Sequence, residues 1–268
     1  MRTPGVKTLR KAARWLRSRY SPGALILGYH RVAHVHSDPH GLCVSPQHFE
    51  EQLAVLRREA RPIALGELLR GLQEGHVPAR AIAVTFDDGY ADVLAQAQPL
   101  LERYEIPATV FVVSGCLGGS FWWDGAPQTA ATNGAADSVA LQDDDGRALT
   151  LQELACLASK PSIDVGAHSV GHPALAALTV TEQRYEVEES KATLEDLIAQ
   201  PVRGFSYPHG SASDVTRDIV RRSGYAYACS SFNDVARVAS DPFYLPRFWP
   251  GDWDGDRFGR WLKWWLRP

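Results

Sequence analysis

Cysteine is scarce in this sequence, and none of the four, Cys43, Cys116, Cys156 and Cys229, pairs with another at CxxC spacing. That excludes a cysteine-built zinc site, and it suits separate, reduced thiols in a cytoplasm. Long apolar runs are missing as well. No stretch reaches the roughly 20 residues that a spanning helix needs. "GALILGY", after the basic N-terminus, is short and lacks a small-residue cleavage site, so it reads as a strand and not a signal peptide. Excess positive charge is also absent. A formal net charge of −3 gives no ground for a nucleic-acid partner. No internal repeat is found. The expectation is a cytoplasmic globular protein, for which 45% hydrophobic and 22% charged residues are ordinary. The 268 residues suffice for one large α/β domain or two small ones.

What is present is a succession of apolar strands and amphipathic helices. Strand-like segments occur at 24–29, 81–86, 108–114, 162–167, 202–207 and 225–231. Between them, "SPQHFEEQLAVLRREA" opens with Ser45 as an N-cap and Pro46 at the first helical position. "DVLAQAQPLLERYE" must kink or split at Pro99. Near-continuous apolar strands alternating with helices predict a parallel sheet buried on both faces. The strand count and length favour a (β/α) barrel or distorted barrel over an open sheet. Residues 115–150, with "TAATNGAADS" and "QDDDG", read as an insertion loop.

Polar residues cluster at the ends of those strands. Asp87 and Asp88 close "AIAVTF", His30 follows "ALILGY", His168 follows "SIDVGA", and Pro208-His209-Gly210 follows "VRGFSY". A parallel α/β barrel collects its C-terminal strand ends at one mouth, where active sites sit. In "AHSVGHPAL" the two imidazoles of His168 and His172 are four residues apart, which on a helical turn puts both on one face. Two histidines, a carboxylate and an open position make a catalytic zinc arrangement. Adjacent aspartates repel each other, so a nearby cation accounts for the pair. One ligates it; the other stays beside the activated water as general base.

"TFDDG", "HSVGH" and "RGFSYPHG", in that order, resemble the first three motifs of the polysaccharide deacetylase family, the NodB-homology domain of carbohydrate esterase family 4. The likeness runs from about 24 to 250. It implies a single distorted (β/α) barrel over 21–268, after a basic amphipathic segment at 1–20, and metal-dependent hydrolysis of acetyl groups on sugars. It also implies Asp87 as the base and Asp88, His168 and His172 as ligands of one divalent ion. Zinc comes first, with cobalt, nickel and manganese as alternatives. Serine stands at Ser206, where many members carry an arginine that orients the base, and a late Leu-x-His acid motif is missing. "GYHRV" resembles the Tyr-His segment of exopolysaccharide deacetylases, which makes His30 the acid. Arg247 in "LPRFW", or else Arg203, replaces the arginine. Trp122 and Trp123 of "FWWD", with Tyr207, Pro208 and His209, are expected to line a sugar cleft. The expected partner is an N-acetylated glycan or sugar precursor. A non-catalytic carbohydrate-binding barrel and an amidohydrolase of a non-sugar C–N bond remain alternatives.

Both ends of the chain are basic and amphipathic. Residues 1–20 carry seven Lys or Arg and no acid, and "DGDRFGRWLKWWLRP" sets Phe258, Trp261, Leu262 and Trp265 on one face. Packing of the second helix across the barrel bottom competes with a peripheral contact of both ends on an anionic inner membrane surface.

Overall fold

The structure, a computed structural model, describes residues 23–35, 38–121, 123 and 146–266. Its elements run β1 (Leu25–Tyr29), β2 (Arg31–Val32), β3 (Cys43–Val44), α1 (Pro46–Glu59), β4 (Arg61–Pro62), α2 (Leu65–Glu74), β5 (Ala81–Phe86) and α3 (Gln98–Arg103). Then come β6 (Ala108–Val112), α4 (Leu151–Ala158), β7 (Ile163–Ala167), α5 (Val180–Ile198), β8 (Gly204–Ser206), α6 (Asp214–Arg222), β9 (Tyr227–Cys229) and α7 (Gly255–Trp265). All six apolar segments form strands. They make one parallel sheet in the order β1-β5-β6-β7-β8-β9, with β4 beside the start of β5.

Residues 245–248 close the sheet into a distorted barrel. Leu245 bridges Cys229 and Phe248 bridges Leu27, both parallel. The N–H of Gly28 donates to Phe248 O at 2.8 Å, and that of Leu245 to Ala228 O at 2.9 Å. Alternate strand residues fall in separate apolar clusters, as a period of two requires. Ile26, Ala83, Phe111 and Tyr227 join the leucines of α2, whereas Leu25, Leu27, Val84 and Val110 join the cluster holding Phe49 and Leu53 of α1. Glycine at 204 makes room for a large ring: a Cβ there would lie 2.6 Å from Tyr227.

Local signals account for the helix starts. The Ser45 side chain accepts from His48 N with Pro46 following, and Thr179 and Glu182 form a capping box on α5. The segment with Pro99 divides into a π-helical turn, Val93–Ala97, and α3, with Pro99 in the first turn of α3. Helix α7 packs along α1, not across the barrel bottom. Phe258 and Leu262 are buried, Trp265 lies 4.5 Å from Phe248, and Trp264 is 60% exposed. Residues 1–22 and 124–145, hence the basic segment and most of the expected insertion, lie outside the described residues.

Candidate active site

Two strand ends, those of β5 and β7, bring Asp88, His168 and His172 together, each less than 10% exposed. The spacing of the two histidines does not reflect a helical turn as expected. Residues 168–172 form a loop in which Ser169 and His172 adopt φ of 64° and 60°. The Ser169 hydroxyl accepts the His172 N–H at 2.9 Å and closes the loop, so the hydrogen bond does the work that helical periodicity was expected to do. His168 Nδ1 lies 2.8 Å from Ser206 O, which fixes Nδ1 as the protonated nitrogen and leaves the Nε2 lone pair facing Asp88.

The donors fit a divalent ion. Asp88 Oδ1 lies 3.5 Å from His168 Nε2 and 3.4 Å from His172 Nε2. Ligands about 2.1 Å from a tetrahedral ion stand about 3.4 Å apart, so the separations match that geometry. They are not ion pairs. Burial lowers both imidazoles, that of His172 to about 2, with help from His168 and His209 nearby, so both are neutral at pH 7. Two neutral nitrogens and a carboxylate are the donor set that zinc and its neighbours accept.

Asp87 is held differently. Arg247, fully buried, directs all five N–H donors to acceptors. Nη1 donates to Asp87 Oδ1 at 2.7 Å and Thr85 Oγ1 at 3.1 Å; Nη2 donates to Asp87 Oδ2 at 2.7 Å and Ser206 Oγ at 2.8 Å. Nε donates to Ser230 O at 2.9 Å. The Ser206 hydroxyl then donates to Asp87 Oδ2 at 3.1 Å. Burial alone would raise the Asp87 carboxyl, but the Arg247 guanidinium, with His168 and His30 nearby, holds it well below the usual carboxylate range. Arg247 thus stands against the aspartate from the closing segment, while Ser206, at the position of the absent arginine, bridges the pair. Arg203 is exposed at the start of β8, below the mouth.

These groups border a cleft of about 350 Å³, which His30, Trp123, Tyr207 and His209 also line. His30 stacks on Trp249, ring centroids 4.9 Å apart at 25°, and burial lowers its imidazole to about 4, Arg247 and His168 adding to the effect and Asp87 opposing it. Trp123 donates Nε1–H to Tyr90 OH at 3.0 Å, and its ring lies 4.3 Å from that of His172. Trp122 lies outside the described residues. Tyr207 is 1% exposed and gives its hydroxyl to Phe243 O at 2.9 Å, so it offers the cleft a ring edge but no hydroxyl. Pro208 is not a wall residue: it is buried beneath the lip, because the turn carrying it tucks the ring inward and presents His209 instead. His209 is exposed, 4.5 Å from the His172 ring.

Sequence reasoning missed Trp249, His40, Leu42 and Ser231 as wall residues. Trp249 was within reach, being two residues after Arg247 and so on the same strand face. His40 and Leu42 sit in the β2–β3 loop, whose place beside β1 no local pattern announces.

A family model described as polysaccharide deacetylase matches residues 74–228. The poly-beta-1,6-N-acetyl-D-glucosamine N-deacetylase of Staphylococcus aureus is 22% identical over 260 residues, covering 90% of this chain and 82% of that protein. Among solved structures, the Streptococcus pyogenes deacetylase PplD in complex with acetate superimposes with a TM-score of 0.74 at 24% identity, covering 92% of this chain and 99% of that one. IcaB from Ammonifex degensii does so with a TM-score of 0.71 at 22% identity, covering 92% and 98%. With more than half of its length matched and strand ends carrying the expected aspartates and histidines, the chain belongs to the polysaccharide deacetylase family.

Proposed function

We propose that the protein removes acetyl groups from N-acetylated sugars of a glycan, using one divalent ion, zinc first, held by Asp88, His168 and His172. The observation that carries this reading is the side-by-side pair of unlike carboxylates. Asp88 faces two neutral imidazoles at 3.4–3.5 Å, and Asp87 is kept ionised by a fully buried arginine. The ion supplies Lewis acidity toward the acetyl carbonyl and toward water. Asp87 takes the proton of the attacking water, and Arg247 with Ser206 fixes its orientation. His30, lowered by burial to about 4 and so neutral at rest, takes that proton over from Asp87 and delivers it to the leaving nitrogen. Trp123 backs His172 and narrows the cleft toward a flat sugar ring.

The relatives named for poly-beta-1,6-N-acetyl-D-glucosamine support a linked N-acetylglucosamine as substrate. The Arg247–Asp87 pair removes the ground for a non-catalytic barrel, which rested on the missing motif arginine. The proposal extends to a cytoplasmic protein in peripheral contact with an anionic inner membrane face, a reading supported by four free cysteines and by exposed Trp264, Arg260 and Lys263 near the end of α7. Lys263 lies 3.5 Å from Glu59, at the end of α1 remote from the mouth, so in this arrangement the cleft opens away from the lipid. The test is acetate release from N-acetylglucosamine oligomers by metal-loaded protein, abolished by chelation and restored by zinc. No release with any divalent ion would overturn the reading.

A further inference from the structure

The loop from His168 to His172 holds a backbone that its sequence does not favour. Ser169 and His172 both stand in the left-handed region, which residues with a Cβ seldom adopt. The two histidines are also anchored differently. The His168 ring is oriented by its own hydrogen bond to Ser206 O, the usual arrangement for a ligand imidazole. His172 Nδ1 is buried and finds no hydrogen-bond partner among the described residues. Its ring rests on those of Trp123 and His209, so where its Nε2 points depends on where the loop backbone is held.

The backbone hydrogen bonds of the loop show what holds it. His168 N–H belongs to the sheet and donates to Val112 O at 2.9 Å. His172 N–H goes to the Ser169 hydroxyl, a partner inside the loop itself. Val170 N–H and Gly171 N–H leave the loop, and both donate to one atom of α5, Glu186 Oε2, at 2.8 Å each. The carbonyls leave on another side. Ser114 N–H donates to Ser169 O at 3.2 Å, and Gly115 N–H donates to Val170 O at 3.0 Å. Both peptide groups flanking Val170 are therefore bound at each end, to α5 through N–H and to the turn after β6 through C=O. That turn needs its glycine, because a Cβ at Gly115 would lie 2.6 Å from Val170 O.

Glu186 is itself well placed. Gln183 and Val187, beside it on α5, are buried, so the helix face that carries the carboxylate is fixed against the body of the protein. Glu186 does not border the cleft. We propose that Glu186 is a positioning residue for the metal site: its carboxylate clamps the ligand loop in the left-handed form and so sets where His172 presents Nε2. The inference rests on the ligand set proposed above.

The test titrates the metal-free full chain with zinc, in competition with a chromogenic chelator. The parent is compared with Glu186→Ala, Glu186→Gln, Gly115→Ala and, as a control, Glu189→Ala, an exposed change on the same helix. Glu186→Ala should bind zinc more weakly by about tenfold or more, the usual cost of losing a group that orients a ligand. Glu186→Gln keeps an acceptor oxygen and should recover most of that loss, and Glu189→Ala should match the parent. Gly115→Ala displaces the loop from its other side and should weaken zinc comparably; it decides the matter if Glu186→Ala does not fold. Equal zinc affinity in the parent and Glu186→Ala would overturn the inference, as would Glu186→Gln binding no better than Glu186→Ala. Amide exchange in chelated protein separates this from failure of the metal reading. The Val170 and Gly171 amides should be protected in the parent and exchange about tenfold faster or more in Glu186→Ala. That result upholds the clamp even if the parent takes up no zinc, and unchanged exchange at both amides overturns it whether or not zinc binds.

Discussion

Replacing Arg247 by methionine leaves the Asp87 carboxylate 3% exposed with no guanidinium against it, and leaves Thr85, Ser206 and the Ser230 carbonyl without their charged donor. Breaking one side of a buried pair costs about 3–5 kcal/mol, because the surviving charge is stranded. At about 2–4 °C per kcal/mol for a chain near this size, Tm should fall by about 10 °C. The deficit depends on pH with a definite sign. In the parent, Asp87 sits below its ordinary value of 3.8, so its stabilisation is complete above that value and is lost as pH falls through the depressed folded one. In Arg247→Met, burial acts unopposed and raises the carboxyl, so the stranded charge harms the fold at pH 7 and is relieved as pH falls toward 5. The gap between variant and parent should therefore shrink from pH 7 to pH 5. Asp87→Asn combined with Arg247→Met should recover about 2 kcal/mol relative to the sum of the single changes, since neither charge is left alone. Urea unfolding of chelated protein measures all four species. A loss under 1 kcal/mol, or additive costs, would refute the claim that Arg247 holds the base.

Other outcomes follow from the same geometry. His172→Ala should lose most of the bound metal, measured by elemental analysis after dialysis; unchanged content would remove His172 from the ligand set. Because burial lowers both imidazoles, that of His172 to about 2, metal affinity should fall less from pH 8 to 6 than a site of two ordinary histidines would. A fall of tenfold or more over that range, as two free histidines of pKa about 6.5 would give, contradicts the assignment. The full chain should sediment with anionic vesicles at low salt and leave them at high salt; protein that stays in the supernatant at low salt makes both ends structural.

Much of the barrel was legible because burial writes itself locally. Strands β5 and β6 are buried throughout, so their runs are apolar without interruption, and Ser45-Pro46 marks the start of α1 by its own chemistry. The candidate metal triad was legible because Asp88 and His168 end strands that a parallel barrel must bring together and His172 lies in the loop after the second of them. The HxxxH geometry was not, since a loop stapled by the Ser169 hydroxyl has the same sequence spacing as a helical turn. Tyr207 and Pro208 illustrate a second limit. Residues in one tight turn point to different sides, and which side is core depends on partners such as Phe243, 36 positions away. The same holds for Ser206. Its hydroxyl matters only because Arg247 arrives from 41 residues further along the chain.

The most direct test of the account is the parent beside Asp87→Asn, both zinc-loaded, with acetate release from linked N-acetylglucosamine measured at pH 7. Asp87→Asn should keep one equivalent of metal and lose activity by about 100-fold or more, as removal of a positioned base requires. Full metal content with activity within a few-fold of the parent would contradict the division of labour between Asp87 and Asp88.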